Sequence, residues 1–144
     1  MKKRVVITGL GAITPIGKNV EENWNSIKEK KCGIDEITLF NTENFKTKLA
    51  AEVKEYNPLE HFEAKQAKRL DRYSQFAIIA AREAVKSSEI SKENTDFNRV
   101  GIFVSSGIGG LTTIQEQCRI DNEKGNKRVS PMFIPMSIAN MAAG

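Results

Sequence analysis

The stretch VGIFVSSGIGGLTTIQEQ, residues 100–117, decides the fold class of this 144-residue chain. The first residues of this stretch are mainly β-branched and aromatic, and they predict a buried strand over 99–105. A glycine-rich turn follows, and then a helix is predicted from about Leu111 to Asn122. A strand, a tight turn and a helix in this order are typical of α/β proteins with parallel strands. We therefore predict an α/β fold.

The same pattern occurs earlier in the chain. Residues 4–8 are mostly β-branched and predict a second buried strand, which enters a glycine-containing loop. A helix is then predicted over 20–30, with Asn19 as its N-cap. Residues 71–88 predict the longest helix, and its apolar residues cover nearly all sides. Such a helix is normally enclosed by a larger body of protein.

We predict that residues 1–144 form one partial domain, with an irregular insertion at about 31–60 that contains a short strand at 49–53. The segment 129–144 has no charged residue and is rich in methionine. Chain ends of this kind are usually polar unless they are packed against other polypeptide. Two or three strands also make a thin sheet for an α/β domain. These features predict that the sequence stops before its domain is complete.

Composition excludes several classes of protein. The chain has 22 Lys and Arg against 18 Asp and Glu, a net charge of +4, with both signs interspersed along most of its length. The longest apolar run, Ala77 to Ala81, is too short to span a membrane. Cys32, Cys118 and the single histidine, His61, lack the spacing of a disulfide framework or a zinc site. We predict a cytoplasmic protein with no metal, no cofactor, and no nucleic-acid or membrane partner.

Two glycine-rich turns leave nucleotide binding open as an alternative. The turn at 9–14, GLGAIT, follows a predicted strand but has Thr14 where a dinucleotide-binding turn has its third glycine. No helix is predicted to begin directly after it, so a pyrophosphate would lack a helix N-terminus. The turn at 106–110, SGIGG, lacks the Lys-Ser/Thr pair of a P-loop.

Four segments, taken together, resemble the N-terminal part of a known family. That family is the elongating β-ketoacyl-acyl-carrier-protein synthases, type II, of bacterial fatty-acid synthesis. The segments are VVITGLGAITPIG (5–17), RLDRYSQFAIIAAREAV (69–85), VGIFVSSGIGGLTTIQEQ (100–117) and KRVSPMFIPMSIANMAAG (127–144). One departure is Ser105, where the family more often has glycine.

The resemblance implies an incomplete N-terminal half of a thiolase-like fold, from a homodimeric acyltransferase. Such a 3-oxoacyl-acyl-carrier-protein synthase elongates acyl chains by decarboxylative Claisen condensation through an acyl-cysteine. The implied nucleophilic cysteine and two histidines match no residue here, because Cys32, Cys118 and His61 occupy other positions. We therefore assign no catalytic residue to this chain and expect it to be inactive alone.

The resemblance also implies two kinds of binding residue. The acyl pocket would be lined by Gly107, Ile108, Phe133, Ile134 and Ile138. An acidic acyl carrier protein would dock on Lys65, Lys68, Arg69, Lys127 and Arg128.

Two alternatives to a synthase stay open at this point. The uncharged carboxyl-terminal segment beside the basic clusters would also suit a non-catalytic dimerisation or carrier-protein docking module. The glycine turns would suit a nucleotide-binding α/β module.

Overall fold

The computed structural model of the chain describes residues 4–144, so the first three residues of the predicted domain lie outside the described residues. This part of the chain contains α-helices joined by turns and loops, with one pair of short strands. The helices are α1 (Val20–Lys28), α2 (Ala64–Ala67), α3 (Arg72–Ser88), α4 (Leu111–Lys124) and α5 (Phe133–Ser137). The strands are β1 (Ile34–Glu36) and β2 (Leu49–Ala51).

The chain divides into two compact units. The first unit contains the residues up to Tyr56 together with Ile79–Ser91. The second unit contains Asn57–Ile78 and Lys92–Gly144. Helix α3 therefore contributes residues to both units.

Helix α1 begins where the sequence predicts. The side chain of Asn19 accepts a hydrogen bond from the Glu22 backbone N–H at 2.8 Å, which makes it the N-cap. Glu21 and Glu22 lie in the first turn, where negative charge is favoured by the helix dipole. The helix ends at Lys28, slightly earlier than predicted.

The buried face of α1 is polar and holds the preceding turn. Ser26 donates a hydrogen bond through Oγ to the Ile16 carbonyl at 2.6 Å. Asn23 donates through Nδ2 to the Gly17 carbonyl at 3.0 Å. Both side chains are buried, so these bonds compensate the loss of their water contacts.

Glu83 of α3 joins two separate parts of the first unit. Its carboxylate accepts two hydrogen bonds, from the Ala12 backbone N–H to Oε2 and from the Val20 backbone N–H to Oε1. Both N···O distances are 2.9 Å. Gly11 lies so close to α3 that a Cβ there would stand 1.8 Å from the Ala80 carbonyl oxygen. This close approach gives the glycine a structural role that involves no nucleotide.

A small antiparallel hairpin lies within the segment 31–60. Ile34 pairs with Ala51 and Glu36 with Leu49, so β2 agrees with the short strand predicted at 49–53. The Lys54 ammonium lies 2.6 Å from the Asp35 carboxylate. This hydrogen bond and charge hold the pKa of Asp35 below its ordinary value of 3.8.

The two longest predicted helices are confirmed in the second half of the chain. Helix α3 covers Arg72–Ser88, against a prediction of 71–88. Helix α4 covers Leu111–Lys124, against a prediction of about 111–122. Both carry their periodic pattern over more than three turns, which makes helices the easiest elements to predict.

The two predicted buried strands are not formed among the described residues. Residues 4–8 and 99–105 lie outside every strand, and Val5 and Phe103 are 92% and 96% exposed. A strand requires a neighbour that satisfies its backbone hydrogen bonds. Within each unit the described chain supplies no such neighbour for these segments, so the predicted parallel pairing is absent from this structure.

Burial in the described residues is mainly polar. Phe62 is the buried hydrophobic side chain, whereas six polar or charged side chains are buried. Helix α3 is only partly covered by the described residues, since its buried residues are Ser74 and Gln75, and its enclosure by a larger body of protein stays a prediction. Across residues 4–144, no helix combines the length and apolar character needed to cross a membrane.

Replacing Glu83 by Gln should destabilise the first unit. An amide can accept one of the two backbone hydrogen bonds but presents N–H groups to the other donor. We expect the free energy of unfolding to fall by about 1.5–3 kcal/mol, the usual range for a hydrogen bond to a charged group. Urea denaturation followed by circular dichroism measures this loss. The control Glu29→Gln, at an exposed position of the same unit, should leave the midpoint unchanged.

Replacing Lys54 by Met should raise the pKa of Asp35. The lowered pKa means that the Asp35–Lys54 contact adds stability above pH 3.8 and that this stability is lost as pH falls through the folded-state pKa. In a carboxyl NMR titration, we expect an Asp35 midpoint below 3.8 in the parent and closer to 3.8 in Lys54→Met. Lys46→Met, an exposed change in the same hairpin loop, is the control. Equal midpoints in all three proteins would contradict the assignment.

Candidate functional site

All the residues that the sequence predicts for the site lie in the second unit. The predicted acyl-pocket residues come from the turn before α4 and from α5. The predicted docking residues come from α2, from the loop after it, and from a 3-10 turn after α4 at Asn126–Arg128.

The turn that leads into α4 is fixed at one end and open at the other. Gly109 donates its backbone N–H to Ser106 Oγ at 3.0 Å, and Gly110 donates to the Ser137 carbonyl at 3.1 Å. Gly107, by contrast, has no atom within 4 Å of the position that a Cβ would occupy. Ile108 is 68% exposed. The Ile108 side chain is thus presented from an anchored base without being packed itself.

Helix α5 presents the other predicted pocket residues. Phe133 and Ile134 begin the helix, and Ile138 follows its last residue. The Tyr73 hydroxyl donates a hydrogen bond to the Ile138 carbonyl, and the Gly110–Ser137 bond joins this helix to the turn before α4. The structure therefore brings the two predicted apolar segments together, although they are far apart in sequence.

Sequence reasoning missed the role of Asp71 at this place. Asp71 precedes α3 and is buried, and its carboxylate accepts hydrogen bonds from Tyr73 and from Thr113 of α4. An aspartate directly before a helical pattern is a signal for an N-cap, and that part was available from sequence. The second partner is 42 residues away and has no local signal.

The first basic cluster lies at a groove with methionine walls. Lys65 and Arg69 line this groove of about 660 Å³ together with Met132, Met136 and other residues of the second unit. Lys68, which follows α2, is exposed but does not line it. Basic groups next to an apolar groove can bind a ligand that has both an acidic and an apolar part.

The second basic cluster lies at a different groove. Arg128 lines a groove of about 540 Å³ with Lys124 and Ile120. Lys127 is its neighbour in the 3-10 turn and is also exposed. The structure therefore brings together the predicted docking residues within each cluster but places the two clusters on separate grooves.

The five predicted docking residues keep their charges available. In residues 4–144, none of them forms an ion pair. Arg119 of α4 shows the contrast, because it binds Glu116 at 2.7 Å and Glu123 at 2.6 Å. The hydrogen bond to Glu116, followed by that to Glu123, raises the pKa of the Arg119 guanidinium. Arg119 is thus compensated within its own helix, whereas the five predicted docking residues have no ion-pair partner in residues 4–144.

The side chains of this region supply apolar and charged groups for binding. Within the described part of the chain, no three His, Cys, Asp or Glu residues come close enough together to hold a metal ion. Cys32 and Cys118 carry exposed free thiols. The arrangement offers apolar surface, free cations and a buried hydrogen-bonded carboxylate.

The sequence matches one family along almost its whole length. Residues 2–144 match the family described as Beta-ketoacyl synthase, N-terminal domain. The chain is 44% identical over 142 residues to 3-oxoacyl-[acyl-carrier-protein] synthase 2 of Staphylococcus aureus strain N315, covering 99% of this chain and 34% of that protein. It is 40% identical over 143 residues to the protein of the same name from Synechocystis, with the same coverage. The chain thus spans about a third of the length of these curated relatives.

Solved structures give the same fold. A ketosynthase of a type II polyketide system, solved in complex with its acyl-carrier protein, superposes with a TM-score of 0.78 at 26% identity. The match covers 100% of this chain and 38% of that one. A β-ketoacyl synthase from Burkholderia phymatum superposes with a TM-score of 0.76 at 20% identity, covering 99% of this chain and 35% of the other. The fold is the N-terminal part of the thiolase-like fold of these enzymes, and the chain belongs to the β-ketoacyl synthase family.

Proposed function

We propose that this chain is the N-terminal part of a 3-oxoacyl-acyl-carrier-protein synthase. The observation that carries the proposal is the 44% identity to such a synthase over 142 residues. In the proposed reaction, an acyl group passes from its carrier protein to a cysteine thiol and forms a thioester. Malonyl-carrier protein then loses carbon dioxide, and the resulting carbanion attacks the thioester carbonyl. The products are a 3-oxoacyl-carrier protein and the free cysteine.

The chemistry of this reaction defines what other residues must supply. A cysteine reacts as its thiolate, which a helix N-terminus favours. The developing enolate needs two histidines, and the thioester oxygen needs backbone N–H donors. The resemblance matches none of these groups to Cys32, Cys118 or His61. In the proposal, this chain contributes to substrate binding and the reacting groups come from elsewhere in the protein.

The acyl chain would contact the two apolar segments that the Gly110–Ser137 hydrogen bond joins. Gly107 and Ile108 would line the pocket of their own subunit, and Phe133, Ile134 and Ile138 would contribute to the pocket of the partner subunit, as the resemblance implies. Ile108, Ile134 and Ile138 are each more than a third exposed and so have apolar surface to offer. Burying an aliphatic side chain of this size against an acyl chain is worth about 1.5–3 kcal/mol.

The acyl carrier protein would dock on five basic residues, Lys65, Lys68, Arg69, Lys127 and Arg128. Their exposure and lack of ion pairs in residues 4–144 support this assignment. An acidic carrier would be steered to such groups by long-range attraction. The ketosynthase solved with an acyl-carrier protein supports the same class of partner.

The synthase that contains this chain would be a homodimer in the cytoplasm. Exposed Ile134 and Ile138 would lie near the interface and contribute to the partner's acyl pocket, as the resemblance implies. Exposed free thiols at Cys32 and Cys118 fit a reducing compartment, where such thiols persist.

The proposed reaction is tested by carbon dioxide release from malonyl-carrier protein. We expect turnover with the complete natural protein that contains these residues and none above background with the 144-residue chain alone. The reason is that the chain offers no residue matching the nucleophile or the histidines. Robust turnover by the chain alone would contradict the proposed division of roles. Carrier binding without condensation by the complete protein would favour the docking-module alternative.

Charge reversal tests the docking surface. The triple change Lys65→Glu, Lys68→Glu and Arg69→Glu in the complete protein should weaken carrier-protein binding by more than about tenfold, since like charges would then face each other. Isothermal titration with the carrier protein measures the affinity. The matched control reverses Lys28, Lys30 and Lys31, three exposed lysines of the first unit, and should leave the affinity within about twofold. An equal loss in both triple variants would show a net-charge effect without a defined surface.

A further inference from the structure

We propose that Asp71 is a positioning residue for acyl-chain length, acting by holding the base of the turn that presents Ile108. This inference rests on the proposed function, because it takes Ile108 to be part of the acyl pocket. Asp71 acts through Gly110 and Thr113, which follow Ile108 in the chain.

The carboxylate of Asp71 joins the starts of two helices. Oδ1 accepts the Tyr73 backbone N–H at 3.2 Å and caps α3. Oδ2 accepts the Thr113 hydroxyl at 2.5 Å and the Thr113 backbone N–H at 3.3 Å, in the first turn of α4. Negative charge is favoured at both helix starts. Asp71 and Thr113 are each only 8% exposed, so water offers little replacement for these bonds.

Gly110 stands directly against this carboxylate. A Cβ on Gly110 would lie 2.8 Å from Asp71 Oδ2 and 2.3 Å from the Met136 carbonyl oxygen. The Gly110 backbone N–H also donates to the Ser137 carbonyl at 3.1 Å. The end of the turn is thus confined between Asp71 on one side and the end of α5 on the other.

The other pocket segment is held from the same helix. The Tyr73 backbone N–H donates a hydrogen bond to Asp71. The Tyr73 hydroxyl donates another to the Ile138 carbonyl. Asp71 and Tyr73 therefore hold both segments that carry the proposed pocket residues. Ile108, two residues before Gly110, has no comparable packing of its own. Its position is set by the fixed base of the turn, and loosening that base should let Ile108 yield to a longer acyl chain.

The test compares substrate selectivity in the complete protein. Asp71→Asn removes the charge while preserving the shape of the side chain. Thr113→Val removes the hydroxyl donor from the opposite partner and leaves the carboxylate in place. Thr112→Val is the matched control, because Thr112 is the exposed neighbour in the same helical turn. For each protein, kcat/KM is measured with a short and a long acyl-carrier substrate.

We expect the ratio of long-chain to short-chain kcat/KM to rise about threefold or more in Asp71→Asn and Thr113→Val. A threefold change is smaller than the roughly 10- to 200-fold that one methylene can contribute in an apolar pocket, as expected when Ile108 is loosened and not removed. Hydrogen exchange of the backbone amides in 106–110 should become faster in the same two variants. Thr112→Val should change neither quantity.

Several outcomes separate this inference from the proposed function. A ratio that stays at the parent value, or an equal fall in kcat/KM for both substrates, would overturn the positioning role while leaving the synthase proposal in place. If Asp71→Asn fails to fold, Thr113→Val decides by the same criteria. A parent protein with no condensing activity would overturn both proposals together.

Discussion

The described structure depends on carboxylates that accept backbone N–H groups from distant parts of the chain. Glu83 of α3 does this for Ala12 and Val20 in the first unit. Asp71, directly before the same helix, does it for Thr113 in the second, and it also caps its own helix through the Tyr73 backbone N–H. These N–H groups lie at turns and helix starts, where no intrahelical acceptor is available. Apolar burial is slight in residues 4–144, so polar contacts of this kind hold the segments of each unit together.

The sequence predicted the helices better than the strands, for a physical reason. Helices α1, α3 and α4 form hydrogen bonds within themselves, and the Asn19 cap lies beside the helix it begins, so local patterns suffice. The strands expected at 4–8 and 99–105 depend on neighbours that no local pattern specifies. The close approach of Gly11 to Ala80 is likewise a long-range feature, and the sequence shows only the glycine.

The candidate site was predictable in part. The resemblance of four segments selected residues in the turn before α4 and in α5, and the structure joins these segments through Gly110 and Ser137. It could not reveal that Asp71 bonds to Thr113, because the two are 42 residues apart. It also treated the basic residues as one surface, whereas the structure assigns Arg69 and Arg128 to different grooves.

The turn at 106–110 contains two kinds of glycine, with different meaning for protein engineering. Gly107 has open space around its Cα, so a library could introduce side chains there without steric conflict. Gly110 has carbonyl and carboxylate oxygens within 3 Å of any Cβ, so almost every substitution there would displace Asp71 or α5. Directed evolution of product size should therefore randomise the tip of the turn and keep its base constant.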